Sequence, residues 1–159
     1  MARRSPPPSV LRAFLAGHRV ARLATADAAG RPHVVPIVYA VSGDTVYTPI
    51  DRKAKRAAPD RLRRVRNIRE NPAVAVLVDA YDEDWRRLGF VLAEGRAELL
   101  TEGPEYARAL DLLRARYPQY RELPLEGGPV IAVRIARLSG WGHLGASDAA
   151  IRGDPASES

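Results

Sequence analysis

The chain contains no cysteine and only three histidines in 159 residues. The first absence excludes disulfides, thiolate catalysis and every cysteine-ligated metal site, and it fits a reducing compartment, so a cytoplasmic location is expected. The histidines, His18, His33 and His143, are far apart with no carboxylate at ligand spacing, so no metal site is expected. Long apolar runs are missing too. Val10–Ala16 is interrupted by Arg12 and is too short for a signal peptide or membrane span, which leaves no targeting segment and no membrane partner in the reading. Glycine-rich dinucleotide and phosphate loops, the G-x-S-x-G elbow and the H-E-x-x-H motif are all absent, which disfavours hydrolases and nucleotide-motif enzymes.

What is present suits a single globular domain: 46% hydrophobic and 28% charged residues, enough to bury a core without a staple. The net charge of +6 is unevenly placed. Arg52 to Arg69 holds nine cations against Asp60 alone, a net +8 that leaves the remainder of the chain at −2. One strongly basic element on a slightly acidic domain suits a phosphorylated small molecule at least as well as a nucleic-acid duplex. No aromatic residue is interleaved with these arginines, so the stacking platform for single-stranded nucleic acid is lacking, and no nucleic-acid partner is expected.

Hydrophobic periodicity and breakers give an outline of the fold. Ser9 reads as the cap of a short helix stopped by Gly17. Val20–Thr25 and Pro32–Val41 read as a hairpin, and Thr45–Thr48 as the third strand of a meander. Asp60 can cap a helix from Arg61 to about Glu70, ended by Asn71-Pro72. Ala73–Val78 is almost continuously apolar and reads as a strand buried on both faces. Leu88–Leu100 follows, with Gly89 and Gly95 as bulges or close-approach points. Pro104 opens a helix over Glu105–Arg116, and the last strand is Val130–Leu138. The expected fold class is mainly β (α+β): a six-stranded antiparallel split β-barrel with a few short peripheral helices. Residues 1–8 are expected as a flexible N-terminus, 9–142 as the cofactor-binding domain and 143–159 as a partly disordered tail.

Three features bear on chemistry. Pro36 stands in the middle of its strand, tolerated only at an edge or bulge, where freed backbone groups can face a ligand or simply mark a structural irregularity. Asp79, Asp82, Glu83 and Asp84 form the densest carboxylate cluster and read as a solvated loop in preference to a cation or acid–base site. Trp85, at the edge of that loop, is placed either to cover a flat cofactor or to pack in a core or interface.

Ala24-Thr25, Gly30-Arg31-Pro32-His33-Val34-Val35-Pro36-Ile37-Val38-Tyr39, Gly43-Asp44-Thr45-Val46-Tyr47 and Arg64-Val65-Arg66-Asn67-Ile68 running to Asn71-Pro72-Ala73-Val74 follow one another in an order that resembles the pyridoxamine 5′-phosphate oxidase-like split-barrel superfamily. Within it the chain is similar to the actinobacterial flavin/deazaflavin oxidoreductases that use coenzyme F420. The resemblance spans about Val10 to Trp141. It implies a homodimer with cofactors at the subunit interface, the ring lying against Val34, Val35, Pro36, Ile37, Val38 and Tyr39. The phosphate would lie near Thr48, Pro49, Ile50, Asp51, Lys53, Lys55, Arg61 and Arg64, with Trp85 and Trp141 flanking the cleft. The chain departs from its relatives at Lys53-Ala54-Lys55, where they often carry a proline between the lysines. The implied activity is hydride transfer between F420 and a small organic acceptor, with FMN as the alternative cofactor and a non-catalytic cofactor-binding module as the alternative role.

Overall fold

The computed structural model describes residues 5–50 and 61–145, which form seven antiparallel strands and three α-helices. Helix α1 spans Pro8–Ala16. Its cap position is held by Pro7 and its first turn by Pro8, so Ser9 lies inside the helix and does not cap it. Pro8 has no N–H to leave unpaired and a φ already suited to the first turn, which sets the start two residues early. Strand β1 (Ala21–Ala26) pairs with β2 (Pro32–Ile37) through a turn organised by Asp27, whose carboxylate accepts the Ala29 and Arg31 N–H groups.

The sequence suggests one strand from Pro32 to Val41; the structure divides it. β2 stops at Ile37, and β3 (Ala40–Ser42) pairs with β4 (Thr45–Pro49), leaving Val38 and Tyr39 as a corner between them. The sheet order is β2-β1-β5-β6-β7-β4-β3, so this one stretch of chain supplies both edges. The expected meander is therefore two hairpins joined at a corner, and the strand count rises from six to seven.

Helix α2 covers Arg63–Glu70, two residues later than read from the sequence, and its proposed cap Asp60 lies outside the described residues. β5 (Ala73–Ala80) is not buried on both faces: Val74, Val76, Val78 and Ala80 are buried, Ala75 and Leu77 half-buried, and Asp79 exposed. Alanines make the run apolar without requiring a second covered face, and an antiparallel sheet can leave one side solvated. β6 (Gly89–Leu100) and β7 (Val130–Gly142) form the longest ladder. β7 continues past Leu138 through Ser139–Gly142, where Gly140–Gly142 register against Gly89–Val91, so the last strand is four residues longer than its periodicity suggests. Gly95 sits at a register shift where a Cβ would lie 1.9 Å from the Arg134 carbonyl oxygen, so only glycine permits this approach.

Two apolar clusters lie on either side of the β4–β7 region. Leu11, Phe14, Leu15, Leu23, Val46, Val65, Val76, Val91, Ile131 and Val133 form the larger one, under α1 and α2. Helix α3 (Pro104–Arg116) closes the smaller with Ala109, Leu110 and Leu113 against Tyr47, Val130 and Ala132. Along β7 the period of two sends Ile131 and Val133 to one cluster, Val130 and Ala132 to the other. No helix among the described residues is long and apolar enough to cross a membrane.

Candidate functional site

The corner between β2 and β3 opens into a cleft of about 360 Å³ lined by Pro36, Ile37, Val38, Thr48, Pro49, Arg64, Tyr117, Gln119, Tyr120 and Leu123. Its first wall follows from Pro36. Without an N–H, this residue fits only a non-hydrogen-bonded position opposite Arg22, on a strand at the sheet edge. Alternation then turns the N–H and C=O of Val38 away from β1. Val38 belongs to neither strand, and no turn or loop hydrogen bond among the described residues uses its backbone. The Val38 N–H and C=O thus lie outside any ladder, in a residue that lines the cleft.

The second wall is the end of β4, where Thr48 is buried beside Pro49. The third is Arg64, half-buried on the first turn of α2. α2 has few apolar residues, and a polar anchor fixes it: the buried Asn67 amide donates to the buried Thr25 hydroxyl at 3.0 Å. Asn67 lies one turn beyond Arg64, so this bond sets the helix face that carries the guanidinium. Asn71 accepts the Ala73 N–H and ends the helix, which gives the Asn-Ile-x-x-Asn-Pro string a local structural reason.

The fourth wall was not legible as a site in the sequence. Tyr117 caps the end of α3 (Pro104–Arg116), Gln119 and Tyr120 lie in a 3₁₀ turn at Pro118–Arg121, and Leu123 follows just after it. The sequence shows only a proline-interrupted loop; the one available signal is the pair of tyrosines bracketing Pro118-Gln119.

Of the residues expected at the cofactor, the cleft brings together Pro36, Ile37, Val38, Thr48, Pro49 and Arg64. Val34 is 63% exposed on the outer face, Val35 packs against the core, and Tyr39 and Ile50 are buried in it. Arg61 is exposed beside the start of α2. Asp51, Lys53 and Lys55 lie outside the described residues. Trp85 and Trp141 line a different hollow of about 640 Å³ with Arg86, Leu88 and His143. Pro49 pairs with Val130 at one end of β7, whereas Trp141 is eleven residues further on, roughly 35 Å along a strand. Within one chain the two tryptophans therefore flank another site.

The electrostatics favour an anion at the α2 end. Burial, then Arg63 and Arg64, hold the His33 imidazole below its ordinary range, so it remains neutral beside those cations at neutral pH. The acidic loop is engaged in its own turn. Asp84 accepts the Arg86 N–H and pairs with its guanidinium, which pulls the Asp84 carboxyl below the usual range, and Asp82 accepts the Asp84 N–H. Away from the cleft, Glu105 accepts from Arg134 and from the Tyr47 hydroxyl, and these bonds hold its carboxyl down at about 2.

The chain matches the family model described as pyridoxamine 5′-phosphate oxidase over residues 8–142, a span that contains every wall of the cleft. No curated protein matches it. Among solved structures, it is similar to a conserved hypothetical protein from Mycobacterium tuberculosis, with 21% identity, a TM-score of 0.71 and coverage of 90% of this chain and 89% of the other. It is also similar to a heme binding protein from Mycobacterium smegmatis, at 21% identity and TM-score 0.70, covering 91% of this chain but 58% of that longer one. A FAD-binding protein from Mesorhizobium loti shares 25% identity at TM-score 0.65, with 86% and 93% covered.

Proposed function

Because the chain belongs to the pyridoxamine 5′-phosphate oxidase family, we propose that the cleft holds the phosphate and ring of a flavin-type cofactor and that the protein is a cytoplasmic oxidoreductase. Its reaction would pass a hydride between coenzyme F420 and a small organic acceptor. The observation that carries this reading is the pairing of two unlike features in one cleft: Arg64 and Thr48 for an anionic group, and the ladder-free Val38 backbone for ring heteroatoms. Arg64 offers a fork of donors to phosphate oxygens, and the Thr48 hydroxyl a further one. Val38 N–H and C=O would orient the ring edge, while Pro36, Ile37 and Leu123 exclude water from its face. The bound cofactor supplies the hydride chemistry, which fits a chain whose sequence shows no catalytic triad or metal motif.

The choice of F420 over FMN is supported by the motif order described above; FMN is favoured as the second reading by the family match and by the FAD-binding neighbour. Haem, bound by another neighbour, would want an axial ligand, and the described lining offers no histidine. A homodimer is part of the same proposal. Trp85 at 72% exposure, Trp141 at 45% and Phe90 stacked on Trp141 at 6.2 Å form an aromatic surface that a second copy could bring over the cleft.

The test is a binding panel of F420, FMN, FAD and haemin, followed by turnover of the reduced form of whichever binds, with a quinone and a nitro compound. Saturable F420 binding with turnover is expected. Tight FMN binding without F420 binding replaces the cofactor, and binding without turnover for any acceptor favours a cofactor carrier.

A further inference from the structure

Tyr39 lies between β2 and β3, outside both strands, and is fully buried. Its N–H donates to the Tyr117 hydroxyl at 3.1 Å, and the same hydroxyl lies 3.0 Å from the Tyr39 carbonyl oxygen and 2.7 Å from that of Arg19. One side-chain oxygen thus does at this corner what a neighbouring strand does elsewhere in the sheet: it accepts the Tyr39 N–H and donates its proton to one of two carbonyls. The residue before it, Arg116, lays its guanidinium 4.9 Å from the Tyr39 ring centroid and donates to the His18 carbonyl. The Tyr39 hydroxyl in turn donates to the Leu15 carbonyl. The end of α3 therefore clamps the corner from two directions, and the next turn, Pro118–Arg121, forms the facing wall of the cleft.

We propose that Tyr117 is a positioning residue, whose hydroxyl replaces the missing strand at the β2–β3 corner and so fixes the Val38 backbone in the orientation the ring requires. This rests on the cofactor reading of the cleft. Tyr117 does not need to touch the reacting atoms, because it acts through Tyr39, the neighbour of Val38. Coupling both cleft walls through one hydroxyl also means that a shift of α3 would change the ring subsite, not merely the stability of the helix.

The test compares Tyr117→Phe with Tyr106→Phe in the full chain. Tyr106 is on the same helix and its hydroxyl also donates to a main-chain carbonyl, that of Gly128, but it does not line the cleft. Thermal unfolding, hydrogen exchange at the Tyr39 amide, and fluorescence titration with F420 and FMN are measured for both variants. Tyr117→Phe should lose more thermal stability than Tyr106→Phe, since the Tyr117 hydroxyl both accepts and donates whereas that of Tyr106 makes one part-buried bond. Only Tyr117→Phe should accelerate exchange at the Tyr39 amide and weaken cofactor binding, by roughly tenfold. Unchanged exchange, or unchanged affinity where wild type binds, overturns the proposal and leaves the hydroxyl a stabilising group like that of Tyr106. If wild type binds neither cofactor, the cofactor reading fails by itself, and the exchange data still decide whether Tyr117 holds the corner.

Discussion

Two hollows among the described residues offer contrasting chemistry. The cleft at the β2–β3 corner carries a cation, a hydroxyl and an unladdered backbone, with its tyrosines partly committed to holding the fold. The hollow at the far end of β7 carries exposed tryptophan surface with Arg86 and His143. A flat anionic cofactor needs both an anchor for its charged end and apolar cover for its ring; in the proposed homodimer the first hollow would supply the anchor and one apolar wall, and the second further cover. The contrast suggests a division of labour: the first hollow sets what binds, and the second sets what assembles over it.

The sharpest way to break this contrast is at Arg64. Arg64→Ala should weaken F420 or FMN binding by roughly ten- to a hundredfold in a fluorescence titration, the usual loss for a hydrogen bond to a charged group, with the fold intact by circular dichroism. Next in size is Trp141→Ala. Removing this exposed tryptophan, which the proposed homodimer would bury, should weaken self-association by roughly tenfold or more in sedimentation velocity, and cofactor binding should fall with it if the partner covers the ring. Monomeric wild type with full cofactor affinity would separate the two hollows altogether.

Asn67→Ala tests the positioning of Arg64. It leaves the buried Thr25 hydroxyl without its donor and should cost about 1–3 kcal/mol in urea unfolding, with a smaller loss of binding than Arg64→Ala. The smallest effect belongs to Glu105, remote from both hollows. Its carboxyl sits at about 2 in the folded chain against an ordinary 4.5, so its contribution is present above about pH 4.5 and is lost as pH falls toward 2. Its side chain is 30% exposed, so Glu105→Gln should cost under about 1 kcal/mol near neutrality. The difference in unfolding midpoint from wild type should shrink across that acid window, and cofactor affinity should not change.

These sites also show what the sequence could convey. Period-two patterning gave the strands, and Pro36 and Gly95 announced an edge and a close approach, because each residue type is tolerated in few backbone settings. The division at Val38-Tyr39 was hidden, since both residues are β-formers and nothing local marks a change of partner strand. Arg64 was visible through charge density and resemblance. Tyr117, Gln119, Tyr120 and Leu123 were not, because their place at the cleft depends on where α3 packs across β4 and β7, a tertiary fact with no periodic signature. Trp85 and Trp141 were recognised as exceptional, but their distance from the Arg64 cleft could be known only from the length of β7.

The central claim is that the corner cleft holds a phosphorylated flavin-type cofactor. Titrating wild type, Thr48→Val and Arg64→Ala in parallel with F420 and FMN tests it most directly. Saturable binding of at least one cofactor, near one equivalent per chain and weakened in both variants, is the predicted result. Binding of neither cofactor, or binding undiminished in both variants, would contradict it.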